Sequence, residues 1–332
     1  FGYMARAAYL MDNIMSKVGL SGKSFIPLLS SFACAIPGIM AARSIKNRND
    51  RLATMLIAPL MSCSARLPVY ILITAACIPE RQILGGWVSQ QALVLLSMYL
   101  LGIVVAICVA WILKKTMLKG KTPVFVMELP SFKMPRISIV SRKMFQQGMD
   151  FVKQAGTLIL ACTVLIWALA YFPRSEPAVE QLSATQTSGI QLRNSYLGRA
   201  GQAIEPVVRP LGWDWKIGIA VLASFPAREV VVGTMGVIYN LGDEEEASAG
   251  LRDHLKNATW DDDPSKPVFT VPVGLSIMVF FALCAQCVST LAVLKKETQS
   301  WRWPLFTFVY MTVLAYVAAW VTFVVASSSL TV

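Results

Sequence analysis

The sequence predicts an all-α, polytopic membrane protein, and three observations lead to that fold class. Hydrophobic residues make up 55% of the 332-residue chain, and the mean hydropathy is +0.57. Only 15% of the residues are charged, whereas a soluble domain averages about 25%. The apolar residues also fall into runs of about 20, the helix length that crosses ~30 Å of hydrocarbon. We therefore expect a bundle of transmembrane helices.

Apolar runs define the expected membrane segments. Some have a tryptophan near an end, as Trp87, Trp111 and Trp167 show. Aromatic side chains favour that position because they sit well at the lipid headgroups. In chain order, the runs are 24–42, 52–79, 87–113, 154–172, 217–240, 268–294 and 303–327.

The charges of the connections predict their sides of the membrane. Segments 43–51, 114–153 and 295–302 are each rich in Lys and Arg, which favours the cytoplasm. Segment 173–216 is nearly balanced and 241–267 is acidic, so both should face outward. The net charge of +11 is accordingly assigned to loops that meet anionic lipid, and no nucleic-acid partner is expected.

Two of the runs should enter the membrane and return without crossing it. Run 217–240 lies between two outward connections, and run 24–42 lies between two basic segments. Broken segments that enter from opposite faces are typical of inverted-repeat transporters. The helix breaks are expected at prolines within or beside apolar runs, although an ordinary proline kink is the alternative. These prolines are Pro37, Pro59, Pro68 and Pro226.

Three charged residues lie inside the apolar runs: Arg66, Arg228 and Glu229. A charge at bilayer depth costs roughly 2.5–3.5 kcal/mol on insertion scales, so it usually faces a cavity or an opposite charge. One interpretation places these residues on a transport pathway. The other is a fixed internal ion pair between Arg66 and Glu229, which does not exclude transport.

Cysteines beside the expected breaks are candidate metal ligands. Cys34 precedes Pro37, and Cys63 lies between Pro59 and Pro68. Thiols next to unwound backbone carbonyls suit a soft or borderline divalent cation. Cys77, Cys108 and Cys162 are interpreted as small packed hydrophobes.

Cys284 and Cys287 form a C-x-x-C motif that we expect in the middle of a helix, with both sulfurs on one face. Packing and pathway lining are the two interpretations. A thioredoxin-like centre needs a βαβ context, and a four-cysteine zinc site needs a second pair. Neither is present in the sequence. The stretch "GLSGKSF" at 19–25 fails the P-loop pattern, and the single histidine, His254, lies in the acidic outer loop.

Long motifs in this chain resemble the membrane portion of the bacterial ferrous-iron transport protein B family. They include "GYMARAAYLMD", "CAIPGIMAARS", "RLATMLIAPLMSCSARLPVY", "MELPSFKMP", "FPAREVVVGTMGVIY" and "CVSTLAVLKKETQSWRWPLF". The motifs stand in the family's order and cover nearly the whole chain. The resemblance implies a multi-pass protein of the bacterial cytoplasmic membrane that imports Fe(II) through two nucleoside-transporter-like gate regions.

The resemblance also implies an organisation and a set of partners. The first gate region and following helices occupy 1–113, a basic cytoplasmic connection 114–153, and the second gate region with the C-terminal helices 154–332. A GTPase domain, which would bind GTP and Mg²⁺, is expected upstream of Phe1, so the chain itself is not expected to be an enzyme. Lipid, small cytoplasmic accessory proteins and a homo-oligomer are the other partners considered.

Several residues match functional positions of the family. Cys34 and Cys63 match its gate cysteines, Cys287 matches a later helix cysteine, and Arg228–Glu229 matches its intramembrane Lys–Glu pair. One position departs from the family pattern: Ala35 stands where the first gate usually has Asn, which puts the metal selectivity in doubt.

Competing functions remain open at this point. The same gate architecture could move another divalent cation or a nucleoside, but a nucleoside site would need polar groups at the breaks. A membrane anchor sensed by the GTPase domain is a second alternative. A redox enzyme that uses Cys284 and Cys287 is a distant third.

Overall fold

A computed structural model describes most of the chain and consists almost entirely of helices. The described residues are 3–79, 82–83, 88–119, 136–173, 193–226, 228, 230–238, 255, 258–260, 265–285 and 287–330. The predicted all-α class is confirmed. Within the described residues, the only regular sheet consists of two antiparallel strands of two residues each, β1 (Gln82–Ile83) and β2 (Val88–Ser89).

The helices are numbered in chain order. They are α1 Tyr3–Lys17, α2 Phe25–Ser31, α3 Ala35–Ala41, α4 Arg48–Ile57, α5 Leu67–Cys77, α6 Gln90–Thr116, α7 Ile137–Phe151, α8 Thr157–Tyr171, α9 Tyr196–Val208, α10 Trp215–Ala223, α11 Val230–Ile238, α12 Val271–Leu283, α13 Val288–Thr298 and α14 Arg302–Leu330.

Four helical stretches of the described chain are long and apolar enough to cross a membrane. They are Arg48–Cys77, Gln90–Thr116, Val271–Thr298 and Arg302–Ser329. Each corresponds to an apolar run expected from the sequence. Helix α8 is also apolar but has only 15 residues.

The two runs expected to re-enter form short paired helices. Run 24–42 becomes α2 and α3, which pack against each other, and run 217–240 becomes α10 and α11, which also pack together. Helices of seven to nine residues are only about 10–14 Å long, so none of these four helices crosses a bilayer. The broken character of both runs agrees with the prediction. Their entry from opposite faces stays a prediction.

The chain divides into two compact units that are interleaved along the sequence. Unit 1 comprises residues 1–64, 99–158 and 288–310, and unit 2 comprises 65–98, 159–287 and 311–332. The contiguous division into 1–113, 114–153 and 154–332 remains a prediction.

In unit 1, ion pairs join the three basic segments that the charge pattern assigns to the cytoplasm. Arg43 Nε donates to Glu297 Oε2 at 2.8 Å, which links segment 43–51 to the end of α13. This hydrogen bond raises the pKa of the Arg43 guanidinium above its ordinary value. Lys114 Nζ donates to Asp50 Oδ1 at 2.5 Å, which links the same segment to the end of α6. The three segments therefore share one end of unit 1.

Close helix packing in unit 2 depends on small residues. A Cβ at Gly201 on α9 would lie 2.9 Å from Ile219 Cδ1 on α10, and one at Gly274 on α12 would lie 2.7 Å from Cys77 Sγ on α5. Substituting these glycines would overpack the contacts. The buried cluster between α9 and α10 contains Leu197, Trp215, Ile219 and Ala223.

Candidate functional site

The first backbone break of unit 1 lies between α2 and α3. Cys34 adopts an extended conformation, with φ −156° and ψ 138°, and α3 begins at the next residue. Pro37 is the third residue of α3, in the first turn, where a helix needs no N–H donor. A Cβ at Gly38 would overlap Ser31 Oγ and lie 2.8 Å from Pro27 O, so glycine permits α2 and α3 to close on each other.

The second break interrupts the long stretch Arg48–Cys77. Helix α4 passes into a 3₁₀ turn, Ala58–Leu60, and a further 3₁₀ turn, Ser64–Arg66, precedes α5. Met61, Ser62 and Cys63 lie between these turns. Pro59 and Pro68 occupy the first turns of the elements they belong to. Each proline thus marks the start of a helical element. The unwound residues are those between the two 3₁₀ turns.

Ser64 joins the two breaks by two hydrogen bonds. Its backbone N–H donates to Phe32 O at 3.2 Å, and its Oγ donates to Ala33 O at 3.1 Å. Cys34 and Cys63 each adjoin this hydrogen-bonded pair of segments, and both are half-buried. Unit 1 therefore brings two thiols and unwound backbone together at one place. No feature of the sequence indicates this role of Ser64.

Unit 2 contains a comparable pair of breaks, joined by Arg228. This residue lies between α10 and α11, next to the buried Pro226, and is itself buried, with 6% of its surface exposed. Its Nη1 donates to Phe281 O at 3.3 Å, and its Nη2 donates to Cys284 O at 2.9 Å. The guanidinium binds carbonyl groups at the end of α12, where backbone acceptors lack helical partners.

The expectation that the C-x-x-C motif lies in the middle of a helix is wrong. Helix α12 ends at Leu283, Cys284 is extended, and α13 begins at Val288. Because Arg228 binds carbonyls at this end of α12, the helix can stop there without a proline. Cys284 is buried, whereas Cys287 is half-buried.

The remaining candidates are spread through the fold. Arg66 is fully buried in the 3₁₀ turn before α5. Glu229 and His254 lie outside the described residues, so a pairing of Glu229 with Arg66 stays a prediction. Cys77 is packed as expected, but Cys108 is exposed and Cys162 is half-buried. Over the described residues, no group of three or more His, Cys, Asp or Glu side chains is placed to hold a metal ion.

The chain matches known family models. The family model described as "Nucleoside recognition", named Gate, matches residues 1–77 and 152–301, and the model "Ferrous iron transport protein B C terminus" matches 95–147. The chain carries a Gate domain and belongs to the ferrous iron transport protein B family. The resemblance noted from the sequence is therefore confirmed. Four stretches of the described residues are long and apolar enough to span, and the chain is a multi-pass protein of the bacterial cytoplasmic membrane.

Curated relatives agree with this assignment. The Fe(2+) transporter FeoB of Leptospira interrogans serovar copenhageni is 45% identical over 97% of this chain, and that of Leptospira biflexa is 45% identical over 97%. A Fe(2+) transport protein A/Fe(2+) transporter FeoB fusion protein of Porphyromonas gingivalis is 38% identical over 96% of the chain. The chain spans 46%, 45% and 39% of these relatives, less than half of each. No solved structure matches it significantly.

Arg228→Lys is expected to destabilise unit 2. A lysine ammonium is a point charge and cannot reproduce the planar fork of a guanidinium. Losing one hydrogen bond from a charged donor should lower the free energy of unfolding by about 1.5–3 kcal/mol. Thermal unfolding in detergent measures the change, and Arg199→Lys on the exposed surface of α9 is the matched control. Equal stability of both variants would contradict the role given to Arg228.

Proposed function

We propose that this chain is the membrane permease part of a ferrous iron importer. The relatives that match nearly its whole length are named as Fe(2+) transporters. The observation that carries the proposal is the junction of two unwound segments that adjoin Cys34 and Cys63. Irregular backbone at membrane depth is tolerated where it is buried in protein or lines a wet cavity.

The two breaks offer ligands that suit the substrate. Thiolates and carbonyl oxygens together match a borderline divalent cation such as Fe(II). In the proposed route, Cys34 and Cys63 bind the ion in unit 1. In this route, Cys287 and Glu229 line the pathway at the second gate. There, Arg228 binds a carbonyl at the end of α12. A thiol must lose its proton to bind the ion, so each binding event releases protons.

The family resemblance supports a proposal on coupling and partners. We propose that a GTPase domain in cis, loaded with GTP and Mg²⁺, gates or drives the movement of Fe(II). The fused Fe(2+) transport protein A of the Porphyromonas gingivalis relative suggests a small accessory protein as a further partner.

Uptake by proteoliposomes tests the proposal. The full-length protein that contains this chain is reconstituted under anaerobic, reducing conditions, and uptake of Fe(II), Mn(II), Zn(II) and a nucleoside is compared with and without GTP. The proposal predicts Fe(II) uptake above that of empty vesicles and of the nucleoside. Preferred uptake of another cation would overturn the assignment of Fe(II) as the substrate. No uptake of any solute would favour the membrane-anchor alternative.

A further inference from the structure

Helix α7 stands apart from the rest of unit 1. Each side chain from Arg136 to Met149 is exposed, including large apolar ones: Ile137 is 81% exposed, Met144 68% and Phe145 71%. A Cβ added at Gly148 would meet nothing within 4 Å. A folded protein seldom leaves a helix with so many large apolar side chains uncovered unless another surface covers them.

The apolar and polar residues of α7 lie on different sides of the helix. Ile137, Val140 and Met144 follow each other at spacings of three and four, which aligns them on one face. Arg142 and Gln146 lie four residues apart on the opposite face, and Lys143 lies at its edge. Ile139 and Met149 are large apolar residues on the polar side.

The charge and the chain connections of α7 indicate what covers its apolar face. Segment 136–153 contains Arg136, Arg142, Lys143 and Lys153 against the single acid Asp150. A π-helical turn, Val152–Gly156, joins α7 without a loop to the apolar helix α8. A basic amphipathic helix attached directly to a membrane-embedded helix lies within reach of the bilayer surface.

We propose that α7 is an interfacial helix that binds the anionic lipid surface of the cytoplasmic leaflet. Met144 and Phe145 enter the boundary between headgroups and acyl chains. The side chains of Arg142 and Lys143 lie on the water side of this boundary and attract anionic headgroups. A second copy of the chain is the competing occupant, but the excess of positive charge on α7 would repel an identical helix.

Hydrogen exchange in nanodiscs tests this assignment. The full-length protein is placed in nanodiscs of phosphatidylcholine alone or of phosphatidylcholine with phosphatidylglycerol. We expect amides of 137–151 to exchange about tenfold more slowly in the anionic discs, with the difference reduced by high salt. Exchange that is the same in both lipids would overturn the proposal. So would protection that appears only when two copies share a disc.

Three variants separate the contributions of the two faces. Met144→Gln with Phe145→Gln should speed the exchange of α7 in both lipids. Arg142→Gln with Lys143→Gln should remove only the dependence on anionic lipid. Gln146→Ser is the control on the polar face and should change neither. Exchange of the buried helix α12 reports on global folding and should be unchanged in every variant. An apolar-face variant that exchanges like the control would contradict the inferred contact.

Discussion

Replacing Cys63 with Ala is expected to abolish Fe(II) uptake while the protein still inserts into the membrane. Cys63 lies in an unwound segment next to Ser64, which binds the carbonyls of the break before Cys34. Loss of a residue that only supports a metal ligand typically costs 10–100-fold in affinity or activity, so loss of a ligand itself should cost at least about tenfold. The initial rate of anaerobic uptake in proteoliposomes measures the effect.

Other cysteines provide matched controls for this substitution. Cys108→Ala removes an exposed thiol of α6 and should leave the uptake rate unchanged. Cys34→Ala should resemble Cys63→Ala because both thiols adjoin the same junction. Full uptake by both gate variants would refute the assignment of the two cysteines to the route of the ion.

Lys114→Met is expected to destabilise unit 1 severely. Lys114 Nζ lies 2.5 Å from Asp50 Oδ1, and the carboxylate is fully buried while the lysine side chain is 8% exposed. Asp50 Oδ2 has no hydrogen-bond partner among the described residues. Removing one partner of a buried pair leaves an uncompensated charge, which typically costs about 3–5 kcal/mol. Unfolding of the purified protein in detergent measures the loss.

Two further variants isolate the cause of that loss. Combining Lys114→Met with Asp50→Asn removes both charges and should recover part of the stability. Arg43→Ala breaks another ion pair of unit 1, in which the arginine side chain is 55% exposed and the Glu297 side chain 8% exposed. A pair with one solvated partner is screened more than a fully buried pair, so this variant should lose less stability than Lys114→Met. Equal losses of stability for Arg43→Ala and Lys114→Met would show that burial of the Lys114–Asp50 pair is not the cause of the loss.

The sequence predicts the parts of the fold that depend on local composition. Apolar length identifies the spanning stretches, such as Gln90–Thr116 and Arg302–Ser329. Proline within run 24–42 identifies a broken helix because proline cannot continue the hydrogen-bond ladder of the helix before it. The lysines and arginines of 43–51, 114–153 and 295–302 predict a shared side, and contacts join all three in unit 1.

The parts that the sequence did not predict depend on contacts between distant residues. The end of α12 at Leu283 has no proline or glycine to mark it, and its carbonyls are bound by Arg228, more than 50 residues earlier. The partner of Asp50 lies 64 residues away. Ser64 is one of many serines, and only the position of α2 shows which carbonyls it binds. Periodicity and local motifs contain no information on such pairings.

The central test is whether the two backbone breaks of unit 1 line a hydrated pathway for the ion. It is made by alkylating individual cysteines in nanodiscs with and without Fe(II). We expect Cys34 and Cys63 to react with a small maleimide and Fe(II) to slow both reactions. Replacing either cysteine should remove the protection of the other. The exposed Cys108 should react equally in both conditions. Gate thiols that never react, or that react at the same rate with and without Fe(II), would contradict such a pathway.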